Sequence, residues 1–245
     1  MAERLEPGDD LELAGWHLEA MYELDEAGDL RSVPGTGNPE PPLVHLVTTR
    51  DGNLWRFHAR LPAPVRALLA PLLAGEPRLD RSGAPGCFAA VRRALEQAGY
   101  SVDSAYSGPA FVLPRTPTRA DGVVELTAAN EGLMAQFFDG PWPDFEASRP
   151  MFAVEVDGAA VSLCFVARPS PGRAVAAGVR TIEAFQRRGY AKRVVAAWAS
   201  AVYGQGRLPL YSTWWENEAS RAVAAGLGGR WWGVDAHWSS AVMLA

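Results

Sequence analysis

Small and β-branched residues fill Ala174-Val175-Ala176-Ala177-Gly178-Val179, a run of strand length that Thr181 closes. After a polar turn the period becomes helical. Ala191, Val194, Val195, Trp198 and Val202 recur on one face of a helix that Gly204 and Gly206 stop. Leu208 to Thr213 reads as a short strand, with Pro209 near its first position, where a missing N–H is tolerated. Asn217 then reads as an N-cap with Glu218 in the first turn, followed by a helix Glu218–Ala225 ended by Gly226, Gly228 and Gly229. A last strand contains His237 between Ala236 and Trp238, and a structural role is expected for this histidine. Before the turn, Val123–Thr127 predicts a strand, and Met151–Val156 with Val161–Ala167 predicts a hairpin around Asp157-Gly158.

The first half carries other patterns. Met21–Leu24 and Leu30–Val33 flank Glu26-Ala27-Gly28-Asp29 as a hairpin. Leu43–Thr48 and Leu54–His58 flank Arg50-Asp51-Gly52-Asn53, where Asp-Gly is the stronger turn signal. Helices are predicted at Ala63–Leu73 and Phe88–Ala98, and two strands, Tyr100–Tyr106 and Ala110–Leu113, on either side of Gly108-Pro109. Val33 to Pro42 is a Gly/Pro-rich loop, and Pro114 to Arg119 reads as a linker. A boundary near residue 118 therefore divides an N-terminal α+β region, 1–118, from a C-terminal domain, 119–245. The first region bears no chemistry motif. It fits either a degenerate copy of the second or an α+β cap on the acceptor side.

The turn between strand and helix, Arg180 to Ala191, is built for an anion. Free N–H groups at a helix start point outward and the macrodipole adds positive charge. Gly189 lets the backbone approach closely, and Arg187 and Arg188 supply charge-assisted donors. A Walker loop needs Gly, four residues and Gly-Lys-Ser/Thr; a dinucleotide fingerprint needs three spaced glycines. Neither is present. The bland alternative is a surface turn with two solvated arginines.

What remains is Gln-Arg-x-Gly-x-Ala, Gln186 to Ala191. It resembles the Gln/Arg-x-x-Gly-x-Gly/Ala signature of the GNAT superfamily of acyl-CoA N-acetyltransferases. The flanks resemble it too: Val179-x-Thr181 closing the strand, Leu-Tyr-Ser-Thr, then Asn217, Ser220, Val223-Ala224 and Leu227-Gly228. The resemblance covers residues 120–240. It implies an α+β fold, a GNAT-like mixed, mostly antiparallel central sheet with flanking helices, to which the N-terminal α+β region is added. It implies acetyl-CoA as cosubstrate, without a metal. The pantetheine arm would pair along Val179, Arg180 and Thr181, the pyrophosphate would sit on the loop amides of Arg187, Arg188, Gly189, Tyr190, Ala191 and Lys192, and Gln186 would also bind the cofactor. Asn217 would touch the arm and Ser220 would lie near the nucleotide.

Composition narrows the partners. A net charge of −5 and a pI of about 5.4 argue against nonspecific nucleic-acid binding, although Arg187, Arg188, Lys192 and Arg193 cluster locally. Cys87 and Cys164 lie far apart without metal or disulfide spacing, so buried free thiols are expected. The four histidines, His17, His45, His58 and His237, show no metal spacing. The acidic N-terminus is not a signal peptide and no apolar run reaches transmembrane length, which predicts a cytoplasmic protein with no membrane partner.

Acetyl transfer needs a neutral amine. A lysine-like amine is neutral about one time in 2,500 at pH 7, so deprotonation costs about 4.6 kcal/mol, which a base or desolvation must offset. The resemblance supplies no such group: the position seven after Asn217 is Ala224, and the position five before it is Ser212. Tyr211, Ser212 and Glu216 are the nearest polar candidates. Two functions follow: an N-acetyltransferase for an amine of a small molecule, peptide or protein, or a catalytically silent CoA-binding sensor or scaffold.

Overall fold

Both sets of predicted strands enter the same sheet. The computed structural model describes residues 6–35, 40–115, 122–138 and 145–240; the linker boundary near 118 and much of the Val33–Pro42 loop lie outside them. The elements are α1 (Asp10–Met21), β1 (Glu23–Leu24), β2 (Leu30–Ser32), β3 (Val44–Thr49), β4 (Asn53–Phe57), α2 (Ala63–Ala74), α3 (Phe88–Gln97), β5 (Ser104–Val112), β6 (Val123–Glu125), β7 (Phe152–Val156), β8 (Ala159–Val166), β9 (Ala174–Thr181), α4 (Tyr190–Gly204), β10 (Leu208–Ser212), α5 (Glu218–Gly226) and β11 (Arg230–Ser239). Short 3₁₀ turns span Glu131–Met134 and Glu183–Phe185. No helix among the described residues is long and apolar enough to cross a membrane.

Nine strands form one sheet in the order β4-β3-β11-β5-β10-β9-β8-β7-β6. Every neighbouring pair is antiparallel except β9 and β10. The fold is thus α+β with a mixed, mostly antiparallel sheet. Its strands interleave along the sequence: β11 lies between β3 and β5, and β5 lies between β11 and β10.

Side-chain alternation assigns the helices to faces. Val175, Cys164 and Tyr211 pack with Val194, Val195 and Trp198 of α4, whereas Ala174, Leu208 and Leu210 pack with Leu13, Ala14 and Trp16 of α1. Phe111 and Leu113 of the β5 segment face α4; Ala105, in register with them, packs with Ala236, Trp238, Leu69 and Val91, so α2 and α3 share the α4 face. Helix α1 stands on the opposite face.

Two expectations need correction. The residues around Gly108-Pro109 do not separate two strands; β5 runs through them as one. Pro109 accepts at its carbonyl from Thr213 N at 3.3 Å, so its nitrogen also points towards β10, whose ladder ends at Ser212. The missing N–H therefore costs at most a bond at a ladder end. At Gly108 a Cβ would lie 1.7 Å from the Thr213 carbonyl oxygen, so only glycine allows this approach. Helix α1 was not expected at all. Asp9 caps it, accepting from Glu12 N at 2.7 Å, and Glu12 reaches back to Gly8 N at 2.6 Å. Its buried residues, Leu13, Ala14, Trp16, His17, Leu18 and Ala20, spread too far around the helix to leave a clean stripe. Cys87 and Cys164 are buried free thiols, as expected.

Candidate functional site

The site begins where two parallel strands part. β9 and β10 pair only from Ala174 to Ala176 and from Leu208 to Leu210. Beyond that, β9 stays with β8, Ala177 to Thr181 pairing with Ser162 to Val166, while Tyr211 and Ser212 follow β5. The Gly108–Thr213 approach draws β10 to the β5 side, and a fork opens. On β9 the backbone groups that face the fork have no strand partner, an edge on which an extended chain can add itself.

The turn after β9 delivers the helix start into this fork. Arg187 and Gly189 both take left-handed backbone conformations, at φ 59° and 76°, which turn the chain sharply into α4. The first i→i−4 bond runs from Arg193 N to Gly189 O at 3.2 Å, so the amides of Tyr190, Ala191 and Lys192 precede it. The first turn of α4 holds no acidic side chain. Among the described residues neither Arg187 nor Lys192 has an ion-pair partner. Positive charge is therefore left uncompensated where the backbone donors converge.

A cleft of about 590 Å³ lies over the turn, on the α4 face. Val179, Thr181, Gln186, Arg187, Gly189, Tyr190, Ala191, Lys192, Asn217 and Ser220 line it, so it brings together ten of the twelve residues singled out in the sequence for the cofactor. The other two turn elsewhere. Arg180 lies over the Phe138 ring, 5.3 Å from its centroid, in the cluster below the opposite face. Arg188 donates to Ala184 O at 3.1 Å and covers Phe185. Asn217 caps α5, accepting from Ser220 N at 3.0 Å. The Ser220 hydroxyl in turn meets the Tyr211 hydroxyl at 2.5 Å.

The three polar candidates separate. Tyr211 is buried at the floor of the cleft, and burial pushes its phenol above the ordinary range against the opposing Ser220 hydrogen bond. It keeps its proton, and its hydroxyl can donate to or accept from Ser220. Ser212, one residue on, faces the other side of the sheet and bonds to Tyr106. Glu216 sits exposed in the turn before α5.

On that other face lies a buried polar cluster that sequence spacing could not reveal, because α1, β3 and β11 each contribute to it. Asp235 accepts from His17 at 3.2 Å and from His45, and the Tyr22 hydroxyl bonds His45 Nδ1 at 2.9 Å. Burial works to raise the Asp235 pKa, but His45 and His17 outweigh it and hold the carboxyl well below its usual range. The ligand atoms of His17, His45 and Asp235 lie within 4.8 Å of one another. The hydrogen bonds nevertheless account for both carboxylate oxygens without an ion. His58 is tied separately to Glu40 at 2.9 Å.

Residues 166–238, from the end of β8 through the fork, the Gly189 turn and β11, match the family model described as FR47-like protein. The family that this model describes is GNAT-related. Solved structures of similar chain path include a GNAT-family protein from Novosphingobium aromaticivorans DSM 12444, with 18% identity over 74% of this chain and 83% of that one, at a TM-score of 0.49. A tandem GNAT protein from the clavulanic acid biosynthesis pathway aligns over 97% of both chains at 12% identity and a TM-score of 0.45. A GCN5-related N-acetyltransferase-like protein from Streptococcus suis 89/1591 aligns over 81% of this chain and 84% of that one, at 13% identity and a TM-score of 0.43. No curated protein matches the chain in sequence.

Proposed function

We propose that the protein is an acetyl-CoA-dependent N-acetyltransferase acting on a primary amine. The observation that carries this reading is the cleft at the fork: unpaired amides at the start of α4, Arg187 and Lys192 without acidic partners, and a free β9 edge leading inward. A phosphate-bearing cofactor with a long amide-containing arm fits these groups, the phosphates at the positive end and the arm's amides on the strand edge. Acetyl-CoA would supply the activated acyl group as a thioester. Gly189, Tyr190, Ala191, Arg187 and Lys192 would hold its phosphates; Val179 and Thr181 would align its arm; Asn217 and Ser220 would close the far wall. Tyr211, protonated and bonded to Ser220, would give a proton at the floor of the cleft. In this reading the region 119–245 holds the cofactor and the region 1–118 shapes the acceptor side.

Calorimetry with CoA tests it. Wild-type protein should bind, and Lys192→Glu, which sets a negative charge beside the unpaired amides, should weaken binding by about 2 kcal/mol or more, with unchanged circular dichroism because the side chain lies at the surface of the cleft. Equal affinity in wild type and variant would refute the phosphate assignment. Release of CoA thiol across an amine panel tests transfer. CoA binding with no transfer to any amine would favour the silent sensor or scaffold instead, a reading that the buried Ala224 seven residues after Asn217 supports.

A further inference from the structure

The sheet face opposite the cofactor cleft carries a row of side chains that the cofactor reading leaves unused. Ser212 is the second residue of β10 beyond the fork and bonds to Tyr106 of β5. The Tyr106 ring stacks on His237 of β11, with centroids 4.9 Å apart and planes 8° from parallel. The Trp214 indole meets Tyr106 edge-on at 4.7 Å and is 45% exposed. Helix α1 contributes His17 to the neighbouring buried cluster with Asp235 and His45, whereas His237 is only partly buried.

His237 differs from the other histidines. His17 and His45 bond to Asp235 and His58 bonds to Glu40, whereas His237 has no hydrogen-bond partner among the described residues, and its Nδ1 is covered. A covered polar nitrogen without a partner is costly in a core built only for packing. Here Tyr106 links the ring to the exposed Trp214 indole and to Ser212, on the strand that leaves the fork.

We propose that this face receives the acceptor, a primary amine with an aromatic body held against Trp214, and that His237 takes the proton the amine nitrogen loses. The inference rests on the reading of the opposite cleft as the acetyl-CoA site. The amine nitrogen bonds to the acyl carbon, the carbon–sulfur bond breaks, and sulfur leaves with the electron pair. The nitrogen's proton passes to His237 and on to solvent, while Tyr211 gives its proton to the thiolate and regains one from solvent, giving amide and thiol. The groups facing His237 are His45 from β3, Asp235 from β11, His17 from α1, Tyr106 from β5 and Arg168 from the segment after β8. Burial, then His45, His17 and Arg168, push its pKa down to about 4 against the pull of Asp235, so its lone pair is free at neutral pH. So weak a base does not deprotonate a free ammonium ion, but it suffices once carbon–nitrogen bond formation makes that proton strongly acidic. Asp235 and His45, behind it, are positioning residues.

The test uses the full chain with acetyl-CoA and two probes, 2-phenylethylamine and ethylamine. His237→Gln should bind acetyl-CoA within about twofold of wild type in calorimetry, while kcat/KM for 2-phenylethylamine falls by roughly 10²–10⁴-fold. Trp214→Ala changes an exposed side chain and so spares the fold. It should weaken calorimetric binding of 2-phenylethylamine and raise its KM while leaving ethylamine unaffected. Turnover by His237→Gln within about threefold of wild type would overturn the proton role. Unaltered 2-phenylethylamine affinity in Trp214→Ala would overturn the acceptor assignment even if His237→Gln fails to fold. If wild type does not bind acetyl-CoA at all, the cofactor reading falls and this proposal with it; binding with either of the other two failures removes this proposal alone.

Discussion

Asp235→Asn exchanges one carboxylate oxygen for an amide nitrogen at the centre of the sheet, and its consequence can be worked through. In the native protein both carboxylate oxygens accept from imidazole Nε2 atoms, and all three side chains are at most 2% exposed. Asparagine keeps one acceptor oxygen and turns an NH₂ donor towards the other imidazole. If that ring is His17, its proton must move to Nδ1, which has no partner and is buried. One orphaned buried donor costs about 1–3 kcal/mol, and the charge-assisted character of the remaining bond, worth about 1.5–3 kcal/mol in such pairs, is reduced. If the ring is His45, the tautomer change reverses its bond with the Tyr22 hydroxyl, which must then accept rather than donate. Both routes destabilise, and together they predict a loss of about 2–4 kcal/mol in urea-unfolding free energy. The pH dependence carries a second signature. The Asp235 pKa is depressed in the folded state, so its contribution is fully present above the unfolded carboxyl value near 3.9 and disappears as pH falls through the lower folded value. Wild-type stability should therefore drop more steeply below about pH 4 than that of Asp235→Asn. A variant with unchanged urea midpoint and an acid profile superimposable on wild type would refute the network as a source of stability.

Asn217→Asp keeps the cap on Ser220 N but replaces an amide donor with a carboxylate in the cleft, so thermal melting should stay near normal while CoA affinity falls; Asn217→Ala should lower both, costing about 1 kcal/mol in stability. Wild-type CoA affinity in the aspartate variant would leave Asn217 as a helix cap only. A chain beginning at residue 122 lacks β3 and β5, exposing both edges of β11 and one of β10, and should be insoluble or lack a cooperative melting transition. A soluble, CoA-binding fragment would show that the interleaved strands are dispensable.

The elements around the cleft were legible because each signal was local. The change of period between β9 and α4, Gly189 between them and the cap at Asn217 are all written within a few residues of where they act. Asp51-Gly52 marked the β3–β4 hairpin for the same reason. The missed features depend on distant partners. Gly108-Pro109 looks like a break until Thr213 is seen pressing against Gly108. Helix α1 is buried too widely to show a stripe, because it packs against β9 as well as β3, β4 and β11. His17, His45 and Asp235 share no spacing, since the sheet order alone brings them together. Arg188 sits within the motif and Arg180 on the strand before it, yet a carbonyl and an aromatic ring claim them.

Strand β11 acts as the keystone of an arch. It is the last strand in chain order, yet it lies third from one edge of the nine-stranded sheet, with Trp238 opposite both Val44 and Ala105. During synthesis β3 and β4 emerge early and must wait with an open edge for a neighbour that comes from the far end of the sequence. Such pairing closes long loops before it returns any energy, which slows folding and leaves unpaired strand edges exposed in the interval. The same insertion joins the two regions mechanically: β11 cannot be withdrawn without opening ladders on both of its sides, so the packing on both faces of the sheet is lost in one unfolding event.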